Sequence, residues 1–164
     1  MKFSIRHAVA VPPAQAVAAY ASPAFFEGRP ARDNIAVHGV VRHEEHADRV
    51  VMEVRFAFTG HVSAAVRAVV DPAKMSWVTR TEVRPAEARA TWVVRPDHYP
   101  DRLHASGEYR FEPGEPDADT TLVLVDGELT VHVPIVGRSV ERVIVSGLRE
   151  YLEDEVASIP DFVR

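Results

Sequence analysis

The 164-residue sequence predicts an α+β fold: a curved antiparallel sheet of about seven strands wrapped around one long C-terminal helix, with two short helices after the first strand. Three observations carry this. Strand-like apolar runs occur in seven places, several alternating cleanly between apolar and polar residues. A single apolar stripe at helical spacing runs from Val136 to Val156 near the C-terminus. Three prolines, in Pro12-Pro13 and Ser22-Pro23, cut the segment after the first strand into two short helical pieces.

The elements follow in order. Phe3, Ile5, His7 and Val9 alternate with Lys2, Ser4, Arg6 and Ala8, giving a first strand that Pro12-Pro13 ends. Ala-rich residues from Pro13 to Tyr20 form a helix, and Ser22-Pro23 reads as N-cap and N1 of a second through Phe25 and Phe26. Ile35–His43 and Val50–Phe58 pair as a hairpin about Glu44-Glu45-His46-Ala47-Asp48. From Ser63 to Val70 the spacing of Val62, Ala65, Val66, Val69 and Val70 predicts a short amphipathic helix, a candidate lid that Asp71-Pro72 stops. Met75–Val83, Arg89–Arg95 and Leu103–Phe111 continue the sheet, and Thr121–Val133 is its last strand, with Gly127 marking a bulge or bend. The final helix begins near Pro134 and stops at Pro160. Val136, Val140, Val143, Ile144, Gly147, Leu148, Tyr151, Leu152 and Val156 form its buried stripe.

Composition narrows the function. One domain over residues 1–164 accommodates a chain of this length, since domains usually span roughly 100–200 residues. Nineteen Lys+Arg against twenty-four Asp+Glu leave a net charge of −5, the wrong sign for a nucleic-acid binder. Only Lys2 and Lys74 are lysines, and the arginine excess reads as GC-rich codon usage rather than guanidinium chemistry. The absence of cysteine excludes disulfides, thiolate catalysis and Cys-ligated zinc. The apolar run Ala8–Val11 is too short for a signal peptide and no 18-residue apolar stretch occurs, so a cytoplasmic location without membrane insertion is expected.

This order of elements, with three local stretches, resembles the START-like or SRPBCC superfamily, the helix-grip fold that includes lipid-transfer domains and aromatic polyketide cyclases. The stretches are Met1–His7, then Pro12-Pro13-Ala14-Gln15-Ala16-Val17 with Ser22-Pro23-Ala24-Phe25, and Thr130–Gly137 running into Val140-Glu141. Within the superfamily the whole chain is most similar to a bacterial domain family of unknown function, including the insert at Ser63 to Val70. The resemblance implies an internal cavity and a small hydrophobic or amphipathic ligand, such as a lipid, a polyketide-like or an aromatic molecule, with no cofactor.

Strand phase suggests which residues face such a cavity. Phe3, Ile5, Val54, Phe56, Phe58, Trp77, Trp92, Tyr109 and Val131 share the inner face with Val140, Ile144 and Leu148 of the helix. The candidate ligand-binding set is His7, Phe56, Phe58, Trp77, Thr79, Trp92, Tyr109, Val140, Ile144 and Leu148, although burial alone explains the large apolar members equally well. His7 carries an imidazole suited to acid or base work, and Thr79, Thr81 and Tyr109 carry hydroxyls that orient a ligand or satisfy one another. His43 shares a phase with Ile35, Val37 and Val41 but lies next to the hairpin tip. His43-Glu44-Glu45-His46 reads as that solvated tip, because strand residues three apart point to opposite faces and do not converge on a metal. No phosphate loop, GxSxG elbow or inward carboxylate pair is found.

Three readings remain: a hydrophobic-ligand binder with a closed cavity of a few hundred cubic ångströms, a cyclase or aromatase using His7 and Tyr109, and an interaction module whose cavity is filled. The final helix adds an oddity. Arg138 and Arg142 lie near its start and Glu150, Glu153, Asp154 and Glu155 near its end, the reverse of what the helix dipole favours. A solvated face explains this, and so does a charged patch for a protein partner or a homodimer.

Overall fold

The computed structural model of the chain describes residues 1–29, 34–61, 63–68, 70–115, 119–135 and 137–163. Its sheet comprises β1 (Lys2–Val9), β2 (Ile35–Glu45), β3 (Val50–Phe58), β4 (Ser76–Arg84), β5 (Arg89–Pro96), β6 (Leu103–Pro113) and β7 (Thr121–Val131). The seven strands are antiparallel in the order β1-β7-β6-β5-β4-β3-β2, so consecutive strands are neighbours and β1 closes onto β7 from the other end of the chain. Helices α1 (Pro13–Tyr20) and α2 (Pro23–Glu27) follow β1. A four-residue α3 (Ala64–Arg67) lies between β3 and β4, and α4 (Gly137–Ala157) packs across β1 and β7. This is the α+β helix-grip arrangement.

Both short helices begin on proline, whose missing N–H falls where no helical bond is made. Ser22 has the extended backbone of an N-cap, but its side chain makes no capping bond, and the turn is held by Phe25 N–H donating to the Ser22 carbonyl at 3.1 Å. Tyr20, Phe25 and Phe26 close one end of the sheet. The Tyr20 ring lies 4.7 Å from Tyr109 and 5.5 Å from Phe25.

The two suspect glycines behave differently. At Gly39 the β2–β3 register slips twice, between Val37 and Gly39 and between Val40 and Arg42, and Gly39 takes φ of +109°, a conformation that favours glycine. At Gly127 pairing runs through without a bulge on both sides, opposite Phe3 and Gly107. Gly127 is needed for a different reason: the Phe3 ring lies where its Cβ would be, and the Trp92 indole lies likewise over Gly107. One row across the inner face therefore reads Phe3, Gly127, Gly107, Trp92, Thr81, Met52. Two missing side chains let two large rings lie flat, 6.4 Å apart.

Three boundaries differ from expectation. The last strand ends at Val131 and α4 starts at Gly137. In α4, Val143 is exposed and Val145 is buried instead. The buried face is wider toward Leu152 and Val156, the flank to which Val145 belongs, than the expected stripe allowed. The predicted helix at Ser63–Val70 is reduced to α3. Val62 and Val69 of the lid lie outside the described residues, as do the side chains of Ala65 and Val66.

Candidate functional site

Two chambers lie between the sheet and α4. The inner one takes Leu148, Tyr151, Leu152 and Glu155 from α4, whose spacing of three, four and seven puts them on one face. Opposite, Trp77, Thr79 and Thr81 of β4 share a face by strand alternation, flanked by Phe56, Trp92 and Tyr109. The outer chamber takes Val140 and Ile144 from α4, with Val133, Leu103 and Tyr99 around it. Trp77 walls both, its ring stacked on Phe56 at 5.7 Å.

Free space is small: about 60 Å³ in the inner chamber and about 90 Å³ in the outer. The expected single cavity of a few hundred cubic ångströms is thus replaced by two compartments. The two indoles and the rings of Phe56, Tyr109 and Tyr151 occupy the remainder. A wider hollow of about 570 Å³ lies on the opposite, wet face of the sheet over the glycine pair. It is open to solvent and mixed in charge, with Asp126 already held by Ser4 and Arg110.

The inner chamber ends on a buried polar cluster. Arg29 and Glu155 form an ion pair of 2.6 Å with side chains only 4% exposed. Tyr109 donates to the other Glu155 oxygen at 2.7 Å, and Arg29 donates to the Tyr151 hydroxyl at 3.1 Å while stacking on the Tyr151 and Phe25 rings. Burial, and next the Glu155 charge, push the hydroxyls of Tyr20, Tyr109 and Tyr151 well above the ordinary phenol range. All three stay protonated and Tyr109 acts as a donor. Burial pulls the Arg29 guanidinium down, but Glu155 and Tyr151 outweigh it and hold the charge. The Trp92 indole N–H is buried without a partner among the described residues.

Of the residues expected from sequence, Phe56, Trp77, Thr79, Trp92, Tyr109 and Leu148 line the inner chamber, and Val140 and Ile144 line the outer one. His7 is half-buried on the β1 inner face and lines neither, nor does Phe58, whose ring lies over Gly60. Among the described residues no cluster of three metal-ligating side chains occurs, and His43 and His46 each approach a neighbouring glutamate at the hairpin tip.

Sequence reasoning missed Arg29, Tyr151 and Glu155 as a unit. Glu155 is expected on a solvated face or in a charged surface patch, whereas it lies seven residues after Leu148 and four after Tyr151, in the middle of the buried stripe. A carboxylate inside an apolar stripe was the available signal. Arg29 carried none, because it follows α2 in irregular chain.

A family model described as "Protein of unknown function (DUF2505)" matches residues 4–163. The chain belongs to the DUF2505 family. No curated protein matches this DUF2505 chain in sequence. Solved structures share its fold at low identity. An aromatase/cyclase from Streptomyces sp. R1128 is 17% identical, with a TM-score of 0.61 over 95% of this chain and 92% of that one. A START superfamily protein from Mycobacterium smegmatis is 18% identical, with a TM-score of 0.56 over 94% and 96%. Norcoclaurine synthase from Thalictrum flavum is 14% identical, with a TM-score of 0.56 over 95% and 84%. The DUF2505 chain is therefore a START/polyketide cyclase-type fold, and among its described residues no helix is long and apolar enough to cross a membrane.

Proposed function

We propose that this DUF2505 protein binds a small hydrophobic or amphipathic molecule in the space between the sheet and α4. One observation carries the reading: the two chambers follow one another along α4 and share a single wall, Trp77. From Val140 to Glu155 the helix rises about 22 Å at 1.5 Å per residue, long enough to lie beside an extended ligand. Ligand pockets usually measure roughly 300–1,000 Å³, so neither chamber takes a ligand unchanged. Trp77 is the residue common to both linings, so displacing its half-buried ring joins them. The fold likeness to an aromatase/cyclase, to norcoclaurine synthase and to a START protein supports an interior adapted to small organic molecules.

Native mass spectrometry of protein purified gently from its own host tests the reading. A stoichiometric adduct that solvent extraction releases is the expected result. A clean apo mass, together with no change in unfolding midpoint on adding hydrophobic probes, would leave the interior as packed core. Cyclase-type turnover is the alternative, and Tyr109 with Glu155 would then meet the ligand, since His7 faces neither chamber.

A further inference from the structure

The inner chamber narrows the ligand's chemistry, on the reading that the interior binds a molecule at all. Three buried side-chain polar atoms lack a hydrogen-bond partner among the described residues: Glu53 Oε1, Arg110 Nε and Trp92 Nε1. The first two belong to groups whose charge is met elsewhere, Glu53 by Arg80 and Arg95, and Arg110 by Glu112 and Asp126. Trp92 is different, because the indole N–H is the only polar group of its side chain and the residue is 7% exposed. Buried donors are nearly always paired, and one left over costs stability unless a ligand supplies the acceptor.

The missing partner has a local cause. The indole edge that carries Cε2 and Cζ2 lies where a Gly107 Cβ would be, so β6 has no side chain to present at that point. Phe3, beyond the glycine pair, brings only an apolar ring, and Thr81, paired with Trp92 across β4 and β5, makes no bond to it. The carboxylate of the chamber is already engaged, since one Glu155 oxygen accepts from Arg29 and the other from Tyr109. Trp92 also borders the open hollow on the wet face, but an N–H turned that way would be hydrated rather than buried. What remains is the inner chamber, which Trp92 lines and which is contracted to about 60 Å³. Glu155 is the only charged side chain lining it among the described residues. An anion there would meet a carboxylate in a low-dielectric pocket, and a cation has no lone pair for the indole N–H, which leaves a neutral acceptor. A hydroxyl would bring a donor of its own to a chamber whose carboxylate is taken. A carbonyl oxygen only accepts.

We propose that the ligand is a neutral carbonyl compound, a ketone or an ester, whose oxygen accepts the Trp92 indole N–H in the inner chamber while its apolar body lies along α4. The probes are 2-octanone and 2-methyl-1-octene, which differ only in C=O against C=CH2. The chain's two tryptophans give two indole N–H resonances in a proton–nitrogen NMR spectrum, and Trp92→Phe assigns them. In the parent, 2-octanone is expected to move the Trp92 resonance downfield and the alkene is not. Affinities come from the fluorescence of Trp77, which lines both chambers and remains in the variant. Taking the ratio of the two affinities cancels the probes' unequal solubilities, and this ratio is expected to fall about tenfold in Trp92→Phe, the size of one hydrogen bond to a buried donor. Far-UV circular dichroism checks that the variant folds, and the parent's resonance decides alone if it does not. Binding of both probes with the same response of the Trp92 resonance, or with a ratio unchanged in Trp92→Phe, would overturn the carbonyl contact and leave interior binding intact. Octanoate bound as tightly as 2-octanone would overturn the neutral class. If no probe moves either the resonances or the fluorescence, the binding reading falls and this proposal falls with it.

Discussion

The two chambers share a sheet, a helix and a tryptophan wall, yet their polar groups are handled in opposite ways. At the inner end, sealed by α1 and α2, Glu155 spends both oxygens on Arg29 and Tyr109, and three phenols are kept neutral by burial. At the outer end Lys74, His98 and Arg102 line an open rim. Charges withdrawn from water need partners, whereas charges left at a rim keep much of their hydration. The inner cluster should therefore govern stability, and the outer charges should contribute little to it.

The strongest way to break this division is to remove one half of the buried pair. Glu155→Ala leaves Arg29 buried and unmatched, and a loss of about 3–5 kcal/mol is expected in a urea titration. The paired replacement Arg29→Met, Glu155→Leu should recover most of it, because an apolar pair of similar volume needs no counter-charge. A small effect from Glu155→Ala alone would mean that the pair is wetter than its 4% exposure implies.

Trp77→Ala comes next. Trp77 is half-buried, so a loss of about 2–3 kcal/mol is expected, below the 3–5 of a fully enclosed aromatic. Joining the chambers should at the same time increase the affinity for 2-octanone. Destabilisation with no gain in probe binding would show that Trp77 is packing and not a partition.

Alkaline unfolding separates the two ends by a third route. The folded-state pKa values of Tyr20, Tyr109 and Tyr151 are raised, so the unfolded chain gives up its phenol protons first. Their contribution is complete below the ordinary phenol pKa near 10 and is lost as pH rises above it, by up to about 1.4 kcal/mol per pH unit for each tyrosine. Tyrosinate absorbance from these three should appear only together with loss of structure. Ionisation ahead of unfolding would contradict their burial.

These effects show what was legible in the sequence. Alternation and proline placement read out the strands, the two short helices and α4, because local periodicity follows directly from one-sided burial. The face of each strand was legible for Phe56, Trp92 and Tyr109 for the same reason. What was not legible depends on contacts between distant segments. Arg29 meets Glu155 across 126 residues, and nothing local in either segment announces the other. Gly127 was read as a bulge or bend because one sequence does not say that a Phe3 ring will lie over it. The small free volume was missed likewise, since phase says which side chains point inward but not whether their rings fill the space between.

Tyr109→Phe is the finest test of the contrast. It deletes one hydroxyl and keeps the ring against Tyr20 and Phe111, so packing is preserved. The hydrogen bond lost is charge-assisted, and its removal should cost about 1.5–3 kcal/mol. Lys74→Ala, at the exposed rim, should stay within about 0.5 kcal/mol of the parent. If the inner hydroxyl proved as dispensable for stability as the outer ammonium, the two ends would not differ in kind. If Tyr109→Phe destabilises and Lys74→Ala does not, then what a polar group of either chamber contributes to stability is set by how far it is withdrawn from water.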